Sequence, residues 1–498
     1  MNVNPITRLD YPDPDVIRVE DTYYMVSTTM HFMPGCEILQ SFDLVHWEHA
    51  TYVYETLDHT DAQQLKSGQN IYGQGMWAAS LRYHEGRFYI CFVANDTRKT
   101  YLYTSEKIDG PWKKQLIEGF YHDGSLLFDE DGRNYIVYGN DEIWITELNE
   151  DLTAPKKDGL HRLLVSDHKN PKLGYEGSHI QKINGYYYIF LVHSLRDRWM
   201  RTEACFYSDS LEGEFTGGDV LCDDRGYCGQ GVAQGGIVDT PDGKWYAMLF
   251  QDSGAVGRIP ILLPVTWKDH FPVFGQNGHV PEEIEVHSTR PGYIYQPLVG
   301  SDDFCNGLLP RWQFNHDPDP RYYHLDALQG TYTITTREVC TELTQAVNTL
   351  TQRMSYPSCA AEVTVDASAL KEGDVAGLCA LQSCYAAVGI TKHHGKYEVL
   401  MLDKKEDGIL DMTEGTVVES HQMDFRLEAD FCNMKDEARC YYRVNKGDWL
   451  PIGTVHKLYF KLDHFTGCRF GLFCYAAEET GGSACFRDFK YYDVDEIS

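Results

Sequence analysis

Hydrophobic and polar positions alternate along this chain in short runs that break at turn residues. Five segments share one layout: PDPDVIRVEDTYYMVS from Pro12, MWAASLRYHEGRFYICFV from Met76, HDGSLLFDEDGRNYIVYGN from His122, EGSHIQKINGYYYIFLVH from Glu176 and QGGIVDTPDGKWYAMLF from Gln234. Each predicts a strand, a tight turn rich in Gly, Asp or Asn, and a second strand dense in aromatic and β-branched residues. No long stretch with a helical period interrupts them. Recurrence at roughly 45–65-residue spacing points to a radial repeat with one four-stranded sheet per copy. The predicted fold class is therefore all-β. A five-bladed β-propeller is expected over residues 1–290, a linker over 291–302 within the Pro/Gly/Ser-containing stretch STRPGYIYQPLVGSDDF, and a second all-β domain, a sandwich, over 303–498. A β-sandwich with chance similarity between its hairpins is the competing arrangement.

The heads of the five segments carry the candidate chemistry. Counting back from Tyr24 gives Asp13 at 11 residues; counting back 12 from Tyr89, Tyr135, Tyr188 and Tyr246 gives Trp77, Asp123, Glu176 and Gln234. The expectation is one structural position in five blades, with the first turn one residue shorter. First strands line the axis of a propeller, so these five side chains should converge. Three of them are carboxylates, and unpaired like charges persist together where function or a cation supports them. Glycoside hydrolysis needs two carboxyl groups with different tasks, set about 6.5–9.5 Å apart when water attacks directly with inversion. A third carboxylate would raise the pKa of the acid. A purely structural metal site at the axis is the alternative use of the same cluster.

Composition narrows the class further. Lys and Arg number 44 against 74 Asp and Glu, a formal charge of −30, which repels nucleic acid and anionic membranes. The abundance of Tyr (34), Phe (22) and Gly (43) favours strands and tight turns. The 15 cysteines include no CxxC pair, so neither a zinc pattern nor a regular disulfide framework is indicated. The first residues, MNVNPITRLDYPDP, lack a basic region followed by an apolar one, and no segment approaches 18 consecutive apolar residues, so the expectation is a cytoplasmic protein.

The sequence resembles glycoside hydrolase family 43, in the branch of β-xylosidases and α-L-arabinofuranosidases. NPITRLDYPDPD resembles the family opening, which makes Asp13 the general base; YHDGSLLFDEDG makes Asp123 the residue that tunes the acid and orients substrate; YEGSHI makes Glu176 the general acid. By the same resemblance Trp77 of MWAASLRYHEG packs on the sugar, and Arg258 of GAVGRIPILLPVTW hydrogen-bonds its hydroxyls. The loop TTMHFMPGCEI would bring Met30, His31 and Phe32 near the sugar, with propeller core as the equal alternative for Met30 and Phe32. The region from DDFCNGLLPRWQFNHDPDPRYYHL resembles the concanavalin-like β-sandwich appended in these branches, which can help close the pocket.

The sequence departs from the pattern at Gln234, where many members have His beneath an axial calcium or water site; a Gln offers only a carbonyl oxygen to a cation. Calcium at the axis is thus the one metal the resemblance brings in, and no cofactor is otherwise expected. The implied activity is exo-acting, inverting release of terminal β-D-xylose or α-L-arabinofuranose from xylan- or arabinoxylan-derived oligosaccharides. An endo-arabinanase, a non-catalytic carbohydrate-binding propeller and a propeller phosphorylase are the rival readings. The expected partners are an oligosaccharide and, at most, further copies of this chain, and neither nucleic acid nor a membrane.

Overall fold

A computed structural model describes residues 2–493. Five four-stranded antiparallel sheets follow one another as blades: Asp15–Tyr54, Met76–Ile117, Ser125–Ser166, Glu176–Leu221 and Ala233–Phe274. The only helical segments among the described residues are four short 3-10 turns. Within each blade the strands pair in sequence order, as hairpins with tight turns require. The first strands neighbour one another around a ring, and the fifth, Ala233–Asp239, returns to the first, Asp15–Val19. The ring is clasped by Asn2–Val3 pairing with Glu283–Ile284. Asn4 reinforces the clasp: its Nδ2 donates to Leu262 O at 2.7 Å and its Oδ1 accepts from Leu262 N at 3.0 Å.

The equal spacing of the five segment heads conceals different turns. Two-residue turns (Glu20–Asp21, Glu85–Gly86 and Asn184–Gly185) close the first hairpins of blades 1, 2 and 4. Blades 3 and 5 instead leave residues 129–133 and 240–244 between their strands. Bulges make up most of this difference: Glu176 pairs with Val192, four residues past Tyr188, just as the ladders at Asp15 and Ser125 set Asp13 and Asp123 opposite residues 28 and 139, four past Tyr24 and Tyr135. Bulges interrupt the first strand between Met76 and Ala79, between Glu176 and His179, and between Ala233 and Gly236. Trp77 and Gln234 lie inside their bulges, Glu176 is the last paired residue before its own, and Asp13 and Asp123 precede their ladders at Asp15 and Ser125. A bulge bends and twists the strand and re-aims its side chains, so convergence survives the mismatch.

After Ile284 no strand forms until Gln313–Asn315. The rest is a two-sheet sandwich around a core that includes Trp312, Val363, Phe425, Leu472 and Phe486. One of its sheets is completed by the propeller: Phe32–Met33 pairs with Phe314 and Asn315. Ala255, Val256 and Ile259 of blade 5 are likewise part of the sandwich core. Buried polar groups tie the same seam. Arg353 reaches Glu37 at 2.9 Å with both side chains almost fully enclosed, and its Nε donates to Asp10 O at 2.9 Å. Asp10 accepts from Arg258 N at 2.7 Å and from Gly467 N at 2.8 Å. Added side chains at Gly257 or Gly467 would strike Asp10, so glycine at both positions allows this close approach.

This seam corrects the sugar-facing expectation for Met30 and Phe32. Met30 bridges to Met76, and Phe32 lies in a strand of the composite sheet under the Arg469 guanidinium at 3.5 Å. Both are fully enclosed. The sandwich offered an unpaired strand edge, and the apolar loop pairs with it instead of facing sugar. His31 is also enclosed there, among Tyr72, His316 and His464.

Candidate active site

Asp13, Trp77, Asp123, Glu176 and Gln234 line one cavity of about 790 Å³ at the head of the first strands. Three of these positions need unusual backbone. Asp13, Asp123 and Gln234 have φ of 54°, 48° and 66°, in the left-handed region that non-glycine residues seldom adopt. Each is held there by partners. Asp13 Oδ2 accepts from Thr28 Oγ1 at 2.6 Å, and Thr28 N donates to Pro12 O at 3.1 Å. Asp123 Oδ2 accepts from Gly177 N at 2.9 Å, which couples blade 3 to the bulge carrying Glu176. Gln234 N donates to Glu203 Oε2 at 2.7 Å, and burial pushes the Glu203 carboxyl well above its usual range.

The carboxyls sit in different settings. Asp13 accepts from Arg258 Nη1 at 3.1 and 3.3 Å as well as from Thr28. Glu176 Oε2 accepts from Asn140 Nδ2 at 2.9 Å, while its Oε1 has no protein partner among the described residues. Asp123 is buried, and its pKa is raised to about 6 by that burial and by the Glu176 and Asp13 charges, against the lowering effect of His122. His122 is a member of the cluster that the sequence reading missed. Its Nε2 lies 3.5 Å from Asp123 Oδ2 and 3.6 Å from Glu176 Oε2. Burial alone would depress it, but the carboxylates, Asp123 foremost, outweigh burial and raise it to about 9. Besides Arg258 on Asp13, the acidic cluster is thus offset by the imidazole next to Asp123 in sequence.

Calcium does not fit these residues well. His122, Asp123 and Glu176 bring one ligand atom each within 4.8 Å of the others, but one of the three is a nitrogen and calcium takes six to eight oxygens. Deeper along the first strands Arg82 supplies a cation of its own. Its guanidinium donates to Asp15 Oδ2 at 2.7 Å, Ser125 Oγ at 2.7 Å, Leu126 O at 2.9 Å and Ile180 O at 3.2 Å, spanning blades 1, 3 and 4 from blade 2. Burial would raise Asp15, but Arg82 and then His179 hold it at about 2. A smaller hollow of about 310 Å³ lies at the opposite end of the strands. Its Arg18, Arg82 and Lys182 are all paired, with Asp239, Asp15 and Asp129.

The sandwich builds a wall of the cavity with Phe460, Leu462 and Phe465. Phe465 lies 5.5 Å from the Trp77 ring and 4.2 Å from the Arg258 guanidinium, and its carbonyl accepts from Arg258 Nη2 at 3.3 Å. Arg258 therefore lines the cavity with both Nη atoms on protein acceptors. The resemblance of the C-terminal region pointed to a domain that can help close the pocket, but the run that does so, LYFKLDHF, has no regular period to single it out.

The profile described as glycosyl hydrolases family 43 matches residues 3–272, more than half of the chain. The chain belongs to this family. It is a glycoside hydrolase, and residues 301–492 match the beta xylosidase C-terminal concanavalin A-like domain. A beta-xylosidase from Formosa agariphila is 26% identical over 99% of this chain and 89% of its own length. A xylosidase/arabinosidase from Butyrivibrio fibrisolvens is 24% identical over 99% of both. A solved structure named bifunctional GH43-CE, from Bacteroides eggerthii, superposes with a TM-score of 0.93 at 42% identity; it covers all of this chain, which spans 64% of that protein.

Proposed function

We propose that this family 43 enzyme is an exo-acting, inverting hydrolase that releases a terminal pentose from xylan- or arabinoxylan-derived oligosaccharides. Asp13, fixed by Thr28 and Arg258, takes a proton from water, and that water attacks the anomeric carbon. Glu176, anchored through Oε2 by Asn140, gives a proton from its unpartnered Oε1 to the departing glycosidic oxygen. Asp123 fixes the backbone beside Glu176 through Gly177 N and keeps the cluster rich in negative charge. The bond to the leaving sugar breaks as the bond to water forms, and the anomeric configuration inverts.

The observation that carries this reading is the contrast between Asp13 and Glu176 across one cavity: one carboxyl has both oxygens bonded to donors and the other has one oxygen free. Exo action is supported by closure. The Arg82–Asp15–His179 network fills the axis below, and the Phe460–Phe465 segment walls one side, so a chain end fits better than a chain interior. The names of the relatives, beta-xylosidase and xylosidase/arabinosidase, support xylose and arabinose as the terminal sugars. Proton NMR of the first product formed from xylobiose and from an arabinoxylan oligosaccharide tests the proposal. Inverted xylose or arabinose is expected; a retained anomer, or internal cleavage products, overturns it.

A further inference from the structure

Two arginines that line the cavity, Arg98 and Arg201, take no part in this mechanism, and Arg201 is the enclosed one. Arg201 opens the third strand of blade 4, Arg201–Ser208, and lines the same cavity as Asp13 and Glu176. Its side chain is 9% exposed. Nε donates to Asp252 Oδ2 at 2.9 Å, and the guanidinium lies 5.3 Å from both the Trp199 and Phe250 rings. These contacts fix the plane of the fork but occupy only its Nε edge. Neither Nη atom has a protein partner among the described residues, and neither is an enclosed orphan, so their remaining exposure is to the cavity. Arg258 is the opposite case: Nη1 is on Asp13 and Nη2 on Phe465 O. Arg98, the third arginine of the lining, is exposed and stacks 4.0 Å over the Phe120 ring, so Arg201 is the enclosed arginine with free donors. Burial would lower its pKa, but Asp252, then Glu176 and Asp13, outweigh that and raise it, which places the fork within electrostatic reach of both proposed catalytic carboxyls.

We propose that Arg201 is a substrate-binding residue whose Nη edge donates to hydroxyl oxygens of the neutral sugar held beside Asp13 and Glu176. A planar fork with its other edge tied down is pre-organised to give two parallel hydrogen bonds. Beside Asp13 and Glu176 the cations are balanced, Arg258 by Asp13, Arg201 by Asp252, and His122 by Asp123 and Glu176, and a hydroxyl pair needs no surplus charge. In the sequence, RDRWMRTEACF reads as an ordinary strand entry; the cavity singles out Arg201 because Asp252, fifty-one residues later, and the rings on either side orient it.

This inference rests on the glycosidase reading, and the experiment separates the two. Steady-state kinetics are measured for the wild type, Arg201→Gln and Arg201→Lys on the nitrophenyl pentoside that the wild type turns over best, and on its monodeoxy analogues. Arg201→Gln should lower kcat/KM by about 10–100-fold on the parent sugar, the range for losing hydrogen bonds to a charged donor. On the analogue lacking the contacted hydroxyl, already slow for the wild type, it should cost less than about 3-fold, because the donor has lost its acceptor in both enzymes. Arg201→Lys, which keeps the charge but not the fork, should fall between and leave the melting temperature within a few degrees. Equal losses on the parent and every analogue, or wild-type kcat/KM in Arg201→Gln, overturn the assignment. A wild-type enzyme that turns over no pentoside overturns the glycosidase reading instead. Should Arg201→Gln not fold, the same parent-to-analogue ratio in Arg201→Lys decides.

Discussion

The floor and the wall of the cavity are built on different principles. The floor comes from the heads of the first propeller strands, where Asp13, Asp123 and Gln234 hold left-handed backbone and every charge has a partner. The wall comes from the sandwich segment Leu458–Cys468, where Phe460 and Phe465 present rings and Leu462 is 71% exposed. Groups that move protons need fixed geometry, and the sheet ladders and bulges supply it. Groups that enclose a sugar need mainly apolar surface, and a docked loop supplies that. The two meet at Arg258, which bonds the floor through Asp13 and the wall through Phe465 O.

The largest effect should come from the floor. Asp13→Asn and Glu176→Gln should each lower kcat by about 10²–10⁴-fold, the usual worth of a positioned acid or base, while circular dichroism and melting stay close to wild type. Near-normal turnover by either variant would remove the distinction between floor and wall. The seam is next. Arg353→Met leaves the buried Glu37 with only His49, at 3.0 Å, and should cost about 3 kcal/mol in urea unfolding, the lower end for a broken buried ion pair. A smaller loss would mean that the two domains are held together chiefly by the Phe32–Met33 strand and the apolar core.

The wall should respond more weakly and through binding. Phe465→Ala should lower kcat/KM by about tenfold, mostly through KM, on the scale of one lost aromatic contact. A fall in kcat alone would instead show that Phe465 acts by positioning Arg258. The mildest test is a slope with pH. His122 holds its proton more tightly in the folded protein, at about 9 against an ordinary 6.5. Its contribution to stability is therefore complete below about pH 6.5 and is lost as pH rises through about 9. Wild-type stability should decline across that window in calorimetry, and His122→Gln should flatten the decline. An unchanged slope would place the cluster's compensating charge elsewhere.

The hairpins and their heads were legible because they are local. Alternation, turn residues and strand propensity act within about twenty residues, so the five repeats, and Asp13, Asp123 and Glu176 at their heads, could be read directly from the order of residues. The counting that tied those heads to one position could not show what makes it work. Turns of two and five residues offset one another, and bulges that no residue pattern announces re-aim Trp77, Glu176 and Gln234. Met30 and Phe32 were placed by the wrong neighbour, because an apolar loop reads the same whether it faces a sugar or an open sheet edge.

The sequence by itself determined the all-β class, the repeat and the acidic heads, since each depends on short-range propensity and pattern. Only the tertiary structure decided that His122 helps offset the acidic cluster, that Arg82 is bonded across three other blades, that Phe465 walls the pocket and that Arg201 faces it with free donors. Each of those facts depends on groups from distant segments meeting, and such meetings are set by packing of the whole fold rather than by the residues on either side.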